Sequence, residues 1–231
     1  MTRAGLPARA SVLLLDIEGT TTPLAFVHDH LFPYARRRLA PFLAAHGRDA
    51  AVLDAIARLR HEHAADARAG ADPPAWSGDD ARALVAYLEF LMDRDRKSPG
   101  LKAIQGLIWD EGYRRGDLHG ELFDGVASAM QRWHAAGKRI AIYSSGSVLA
   151  QRLLFSTTPE GDLTTIIDAF FDTGVGAKVE ADSYRRIAAA LGVPAGDMLF
   201  LSDAAAEIAA ASTAGVQAML VTDPAVFAAL G

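Results

Sequence analysis

The sequence predicts an α/β protein whose core is a doubly wound parallel sheet (Rossmann-like) and which carries an inserted all-helical cap domain. Two observations lead to this prediction. Short apolar runs alternate with helical patterns near the start of the chain and again over its second half. The long block between these regions has helical patterns only. We therefore place the core at residues 1–21 and 121–231 and the helical cap at residues 22–120.

Five apolar runs are the predicted strands. Each run stops at a polar residue, which is typical of parallel strands that are buried on both faces and end at the edge of a sheet. The runs are Val12–Leu15, Ile140–Tyr143, Met198–Leu201, Ala218–Val221 and the weaker Ala169–Phe171. Because the carboxyl ends of parallel strands meet at one edge, the polar residues that follow them should lie together.

Helical patterns with recognisable ends separate the strands. Asp124 and Ser147 are predicted to cap the starts of two helices, and Gly192 is predicted to close a third. Within the inserted block, breaks rich in glycine and proline separate four predicted helices at residues 31–45, 49–69, 79–94 and 99–115. An insertion directly after the first strand is expected to form a lid over the strand ends.

Composition narrows the possible functions. The 231 residues are 51% hydrophobic and carry a net charge of -5, which favours a folded globular protein and disfavours a nucleic-acid partner. The absence of cysteine excludes disulfides, thiolate catalysis and cysteine-ligated zinc. The run Val12–Leu15 is too short for a signal-peptide core or a bilayer span, so we expect no membrane association and a cytoplasmic location.

The polar residues at the strand ends form a set that suits phosphoryl transfer, which needs an in-line nucleophile and neutralised phosphate oxygens. Asp16 is the predicted nucleophile. A magnesium ion held by Asp16 and Asp203 would offset the repulsion between carboxylate and phosphate. Glu18 is predicted to protonate the leaving oxygen and then to activate water.

Other residues are predicted to hold the phosphate and the metal environment. Ser144 and Ser145, in a turn that opens a helix, are expected to form an anion site with backbone N–H groups. Lys178 adds a positive charge. Glu207 is expected to orient the ligands of the metal. Each residue type is common alone, but this order of residues, each just past a strand, indicates a phosphatase with a phospho-aspartyl intermediate.

These residues also carry a resemblance to a known family. The segments Leu15–Pro23, Ile142–Ser147 and Lys178–Glu180, with Asp203, resemble the motifs of the haloacid dehalogenase-like phosphohydrolases. Within that superfamily the chain resembles the enolase-phosphatase family of methionine salvage, in which a glutamate at the position of Glu18 is distinctive. The resemblance covers nearly the whole chain.

The resemblance implies a bifunctional reaction on a small-molecule phosphate ester. Enzymes of this kind enolise 2,3-diketo-5-methylthiopentyl 1-phosphate and then hydrolyse the phosphate to give 1,2-dihydroxy-3-keto-5-methylthiopentene, an acireductone. By position, the implied ligands of one magnesium ion per subunit are Asp16, Glu18 and Asp203. The implied substrate-binding residues are Ser144, Ser145 and Lys178. The family is usually monomeric.

Other functions are also compatible with these residues. Another magnesium-dependent phosphatase or phosphomutase of the superfamily would share Asp16, Lys178 and Asp203 and differ in its cap, so a panel of substrates would separate the two. A dehalogenase is disfavoured because it needs no magnesium site. A phosphate-binding scaffold would bind without turnover.

The part of the substrate beyond the phosphate must be recognised elsewhere, and the cap offers only candidates. We single out Lys97, Lys102, Gln105 and Trp109. For each of them a role in packing or on a solvated face is an equally good explanation. Glu18 is the hypothetical base for enolisation, because its side chain is longer than the aspartate that most relatives carry.

Overall fold

The structure is a computed structural model that describes residues 6, 9–78 and 80–230. The chain forms two compact units. One ends at Val27 and resumes at His119, and the other runs from His28 to Leu118. The inserted unit thus starts a few residues after residue 22, and residues 17–22 form a hydrogen-bonded loop within the first unit. Thr22 N–H donates to the Ile17 carbonyl at 2.9 Å, for example.

The first unit contains a parallel sheet. Among the described residues, its strands are β1 (Val12–Leu15), β2 (Arg139–Tyr143), β3 (Ala169–Phe171), β4 (Met198–Ser202) and β5 (Gln217–Leu220). The strand order is β3-β2-β1-β4-β5, and every neighbouring pair is parallel. Leu15 at the end of β1 pairs with Ile142 on one side and with Leu201 on the other. The predicted doubly wound sheet is therefore confirmed.

Helices connect these strands and make up the second unit. In the described residues they are α1 (Phe32–His46), α2 (Ala50–Arg68), α3 (Ala81–Asp93), α4 (Pro99–Arg114), α5 (Val126–Ala135), α6 (Val148–Ser156), α7 (Ala181–Leu191), α8 (Ala205–Thr213) and α9 (Val226–Ala229). A π-helical segment, Phe26–Leu31, leads into α1, and short 3₁₀ turns lie at Leu163–Ile166 and Ala195–Asp197. None of the helices in these described residues combines the length and the apolar character that a bilayer span requires.

The core lies on both faces of the sheet. Val12 and Leu14 belong to a buried cluster that includes residues of α7 and α8. Leu13 and Leu15 point the opposite way and are also fully buried. Burial of each such side chain contributes about 2 kcal/mol to the stability of the fold. The position of the residue that follows β1, Asp16, is therefore well fixed.

Helix ends follow the predictions in part. Ser147 caps α6, accepting from Ala150 N–H at 3.2 Å, and Gly192 closes α7 with a φ of 69°. The prediction that Asp124 caps α5 is wrong. The helix follows Gly125, whose φ of 84° turns the chain in a way that glycine permits at little cost.

In its described residues, the second unit consists of helices and turns without a strand, as its pattern predicts. α4 packs against α2, and α1 packs against both α3 and α4. Ser98 caps α4 by accepting from Leu101 N–H at 2.9 Å, and Pro99 occupies the first turn. The predicted start of the third helix, residue 79, lies outside the described residues, as do residues 1–5, 7, 8 and 231.

Candidate active site

Asp16 is the first residue after the central strand β1, and its side chain is almost fully buried. Its Oδ1 accepts from Ile17 N–H at 2.8 Å and from Lys178 Nζ at 2.5 Å. Its Oδ2 accepts from Ser202 Oγ at 2.9 Å. Donors on both oxygens hold the carboxylate in one orientation at the carboxyl edge of the sheet.

Lys178 lies in the segment between β3 and α7, and its ammonium is buried between two carboxylates. Nζ is 2.5 Å from Asp16 and 2.8 Å from Glu207. The hydroxyl of Tyr184 donates to the Lys178 carbonyl at 2.7 Å and fixes the backbone there. Sequence reasoning placed Lys178 and Asp16 at one site, and they do meet, although 162 positions separate them along the chain.

The site has an excess of negative charge. Burial raises the pKa of Asp16 to about 7, although the ammonium of Lys178 opposes that rise. Burial alone would lower the pKa of Lys178, but the carboxylates of Asp16 and Glu207 outweigh it and raise that pKa above its ordinary value. One positive charge shared by the buried Asp16 carboxylate and the half-buried Glu207 carboxylate leaves the site able to accommodate a further cation.

Glu18 and Ser144 meet beside this cluster. Ser144 directly follows β2, is fully buried, and donates to Glu18 Oε2 at 3.1 Å. Gly146 N–H, predicted to form part of an anion site, donates to Ser144 Oγ at 2.9 Å. Ser145 is exposed. The structure thus joins Ser144 to Glu18, while the binding role of Ser145 stays a prediction.

Asp203 is held close to the loop that follows β1. Its N–H donates to Thr20 Oγ1 at 2.9 Å, and its side chain is exposed. Gly19 has a φ of 76°, and a Cβ there would lie 2.8 Å from the carboxyl carbon of Asp203. The backbone angle favours glycine at this position, and a Cβ there would have to displace the Asp203 carboxylate.

The predicted metal ligands fit a divalent cation in their chemistry. Within the residues that the structure describes, no three Asp, Glu or His side chains form a ready-made metal cluster. Asp16, Glu18 and Asp203 nevertheless supply carboxylate oxygens, the ligand type that hard divalent cations prefer. The negative excess at Asp16 and the close approach of Asp203 to Gly19 agree with this fit. The individual ligand roles stay predictions.

Sequence reasoning missed two hydroxyl residues that organise the site. Ser202 ends β4, is fully buried, and lies 2.9 Å from both Asp16 Oδ2 and Glu207 Oε2. Thr20 anchors the backbone of Asp203. Glu207, expected to orient metal ligands, contacts Ser202 and Lys178 in the structure. A polar residue closing an otherwise apolar strand was the available signal for Ser202.

The parallel sheet, with acidic side chains and a lysine at its carboxyl edge, defines a class of hydrolase. The family model of haloacid dehalogenase-like hydrolases matches residues 10–215, and the chain belongs to that family. The class fits the geometry, because its catalytic groups follow strands that end at one edge of the sheet.

Similar proteins of known name narrow the assignment of the chain within this family. The enolase-phosphatase E1 of Synechococcus elongatus is 52% identical over 219 residues, covering 95% of this chain and 91% of that protein. The enolase-phosphatase E1 of Acidiphilium cryptum is 48% identical, covering 95% and 88%. Within the family, the chain belongs with the enolase-phosphatases. It is accordingly a phosphatase, in a family whose members generally use a divalent metal.

Solved structures agree with the fold. The UTR4 protein of Saccharomyces cerevisiae superposes with a TM-score of 0.74 at 34% identity, covering 91% of this chain and 89% of that one. CbbY of Rhodobacter sphaeroides superposes with a TM-score of 0.53 at 18% identity, covering 91% and 85%, and shares the fold alone.

Proposed function

We propose that the protein converts 2,3-diketo-5-methylthiopentyl 1-phosphate, through its enol phosphate, to 1,2-dihydroxy-3-keto-5-methylthiopentene and phosphate in methionine salvage. One observation carries the chemistry of the proposal, namely the buried Asp16 carboxylate held 2.5 Å from Lys178 at the carboxyl edge of the sheet. The choice of substrate rests on relatives named enolase-phosphatase that are about half identical over most of the chain.

Phosphate release would proceed in two steps. In the first, an Asp16 oxygen forms a bond to phosphorus while the ester bond breaks, and Glu18 gives its proton to the leaving oxygen. In the second, Glu18 takes a proton from water, the water oxygen bonds to phosphorus, and the bond to Asp16 breaks. Lys178 carries the positive charge that the phosphoryl oxygens require during both steps.

We propose magnesium as the divalent cation, one ion per subunit, held by Asp16, Glu18 and Asp203. When bound, magnesium supplies positive charge that offsets the repulsion between the nucleophilic carboxylate and the phosphate. We further propose that Ser144, Ser145 and Lys178 bind the phosphate group. The burial of Ser144 beside Glu18 supports a fixed position for its hydroxyl.

Enolisation requires a base for the proton on the carbon beside the carbonyl. We propose Glu18, which is half-buried and accepts from Ser144 at 3.1 Å. Replacing Glu18 with glutamine removes the base while keeping the shape, so exchange of that proton with deuterated water, followed by NMR, should fall at least about 100-fold. Exchange at the wild-type rate in the Glu18→Gln variant would show that another group is the base.

We propose that the helical unit contributes to the choice of substrate. Lys97 is exposed and is available to a ligand, whereas Trp109 is buried and donates from its indole N–H to the Leu31 carbonyl at 2.9 Å. This contact supports a packing role for Trp109. Gln105 is buried and Lys102 is half-buried on the same helix, α4.

The reaction itself is tested by giving the protein the diketo phosphate anaerobically, with magnesium or with a chelator. Enol absorbance and released phosphate are followed together. We expect enol to appear first and phosphate afterwards, with both signals lost in chelator. Turnover of some other phosphate ester, without enol or phosphate from this substrate, would instead favour a different phosphatase or phosphomutase of the family.

We also propose that the protein acts as a monomer in the cytoplasm. The proposal of a monomer rests on the resemblance to a family whose members are usually monomeric. Light scattering coupled to size-exclusion chromatography should give the mass of one chain, and a stable dimer would contradict the proposal. Fractionation of cells should leave the activity in the cytoplasmic fraction.

A further inference from the structure

We propose that Ser202 is a positioning residue whose hydroxyl stabilises the Asp16 carboxylate as it leaves the phosphoryl group. The inference rests on the phospho-aspartyl route proposed above and assigns a step of that route to a residue not yet given a role. It starts from a closed ring of four side chains at the end of β4.

The ring joins two carboxylates through two donors. Lys178 Nζ lies 2.5 Å from Asp16 Oδ1 and 2.8 Å from Glu207 Oε2. Ser202 Oγ lies 2.9 Å from Asp16 Oδ2 and 2.9 Å from Glu207 Oε2. Ser202 is fully buried, so solvent does not readily replace its hydroxyl as a donor.

The hydroxyl has fewer hydrogens than the ring has acceptors. A serine hydroxyl carries one hydrogen, and Ser202 Oγ also accepts from Ala204 N–H at 3.2 Å. It therefore donates to one carboxylate at a time. Glu207 Oε2 already receives a hydrogen from Lys178, whereas in the described part of the chain the donor to Asp16 Oδ2 is Ser202. While Asp16 is a free carboxylate, the hydrogen belongs on Asp16.

The preferred acceptor changes during the reaction. An aspartyl phosphate has no charge on the acyl group, so its oxygens accept hydrogen bonds less strongly than those of a carboxylate. Glu207 keeps its full charge, and the hydroxyl turns towards it. When water attacks phosphorus and the bond to Asp16 breaks, the electron pair returns to the carboxylate. The hydroxyl then turns back and stabilises that charge as it develops.

The proton stays on Ser202 throughout, so the residue is a movable donor and takes no part in proton transfer. Its effect is larger on hydrolysis of the phospho-enzyme, in which the carboxylate is regenerated, than on its formation. Removing the hydroxyl should therefore make phospho-Asp16 accumulate. A residue that merely supported the fold would not shift the balance between the two steps.

The test is acid quenching of enzyme turning over diketo phosphate that is radiolabelled in its phosphoryl group, with peptide mapping of the label. In Ser202→Ala we expect phosphate release to fall about 10-fold and the labelled fraction of Asp16 to rise at least about threefold. Ser202→Thr keeps a hydroxyl and should restore both values. Magnesium affinity, measured by calorimetry without substrate, should stay within about threefold of wild type, which excludes loss of metal as the cause.

Thr158→Val is the matched control. It removes a buried hydroxyl that donates to the Gly161 carbonyl at 2.7 Å, and it should leave the labelled fraction unchanged. If Ser202→Ala does not fold, Ser202→Cys keeps the shape with a weaker donor and applies the same test.

An unchanged or lower labelled fraction in folded Ser202→Ala or Ser202→Cys would overturn the role of Ser202 alone. A wild-type enzyme that releases phosphate without ever labelling Asp16 would overturn the phospho-aspartyl route instead. The two failures are therefore distinguishable.

Discussion

Each of the two units contains a buried carboxylate paired with a cation, and their surroundings differ. Asp16 in the sheet unit pairs with Lys178. Asp66, on α2 of the helical unit, accepts from the Tyr87 hydroxyl at 2.9 Å and from Arg96 at 2.6 Å. Both carboxylates are more than nine-tenths buried, so burial alone does not separate a catalytic acid from a structural one.

The difference lies in the cation and in the position along the chain. The Arg96 side chain is 49% exposed, so the ion pair of Asp66 reaches solvent. Lys178 is buried and shares its charge with Glu207 as well as Asp16, and Asp16 stands where a central strand ends. The pairing of Asp66 with a partially exposed arginine is typical of a structural contact within a helical unit. The pairing of Asp16 with a buried lysine at the edge of a parallel sheet is typical of a catalytic carboxylate.

The largest expected effect in this comparison of Asp16 with Asp66 comes from replacing the nucleophile, Asp16. Asp16→Asn should lower phosphate release at least about 1,000-fold, because an amide does not form the phospho-enzyme. Its unfolding free energy should change by less than about 1 kcal/mol, since Lys178 keeps Glu207 as a counter-ion. Steady-state phosphate release and urea unfolding measure the two effects. Phosphate release near the wild-type rate would remove Asp16 as the nucleophile.

Asp66→Ala should show the opposite pattern. It leaves the buried Tyr87 hydroxyl without its acceptor and should lower the unfolding free energy by about 2 kcal/mol, with kcat per folded molecule unchanged. The control is Asp54→Ala on the same helix, where an exposed pair with Arg58 should contribute less than about 0.5 kcal/mol. A large drop in kcat for folded Asp66→Ala would mean that the two acids are not separable in this way.

Magnesium should stabilise the protein through the sheet unit alone. At a concentration about tenfold above its dissociation constant, the ion should raise the unfolding free energy by about 1.4 kcal/mol. Asp203→Asn should lose most of this increment, and Asp66→Ala should keep it. Thermal unfolding with and without magnesium measures it, and an equal increment in Asp203→Asn would argue against Asp203 as a ligand.

The smallest expected effect concerns the partner of Asp66. Tyr87→Phe removes one hydrogen bond while Arg96 keeps the carboxylate paired, so it should cost about 1 kcal/mol. Tyr113 offers a matched control within the described residues, because its buried hydroxyl has no hydrogen-bond partner there. Tyr113→Phe should be neutral or slightly stabilising in the same urea titration. Equal losses in both variants would mean that the bond to Asp66 contributes little.

Much of the fold was predictable because its signals are local. The apolar runs of β1, β2 and β4 record burial on both faces, and even the three-residue strand β3 was found. The start of α5 was not, because a side chain able to cap, Asp124, precedes a glycine whose backbone angle decides the boundary. Local composition does not reveal that angle.

The sequence predicts those contacts of the candidate site that follow from the meeting of parallel strand ends at one edge of the sheet. Asp16 and Lys178 were expected together and meet, because each follows a strand of the same parallel sheet. In the sequence, Ser202 is only the polar residue that follows the apolar run Met198–Leu201. Its role depends on a contact between β4 and the residue after β1, and such pairings follow from the strand order β3-β2-β1-β4-β5, which the apolar runs do not encode.

The central position of β1 has a consequence for the synthesis of the protein. Asp16 and Ser202, which touch in the native sheet, are 186 positions apart. At about 5–20 residues per second, a ribosome needs roughly 10 to 40 seconds to add the residues between them. Until then the apolar residues of β1 have no β4 to pair with, and they are a segment that a chaperone can bind. The nucleophile is thus synthesised well before Ser202, the residue that holds its carboxylate in the native sheet.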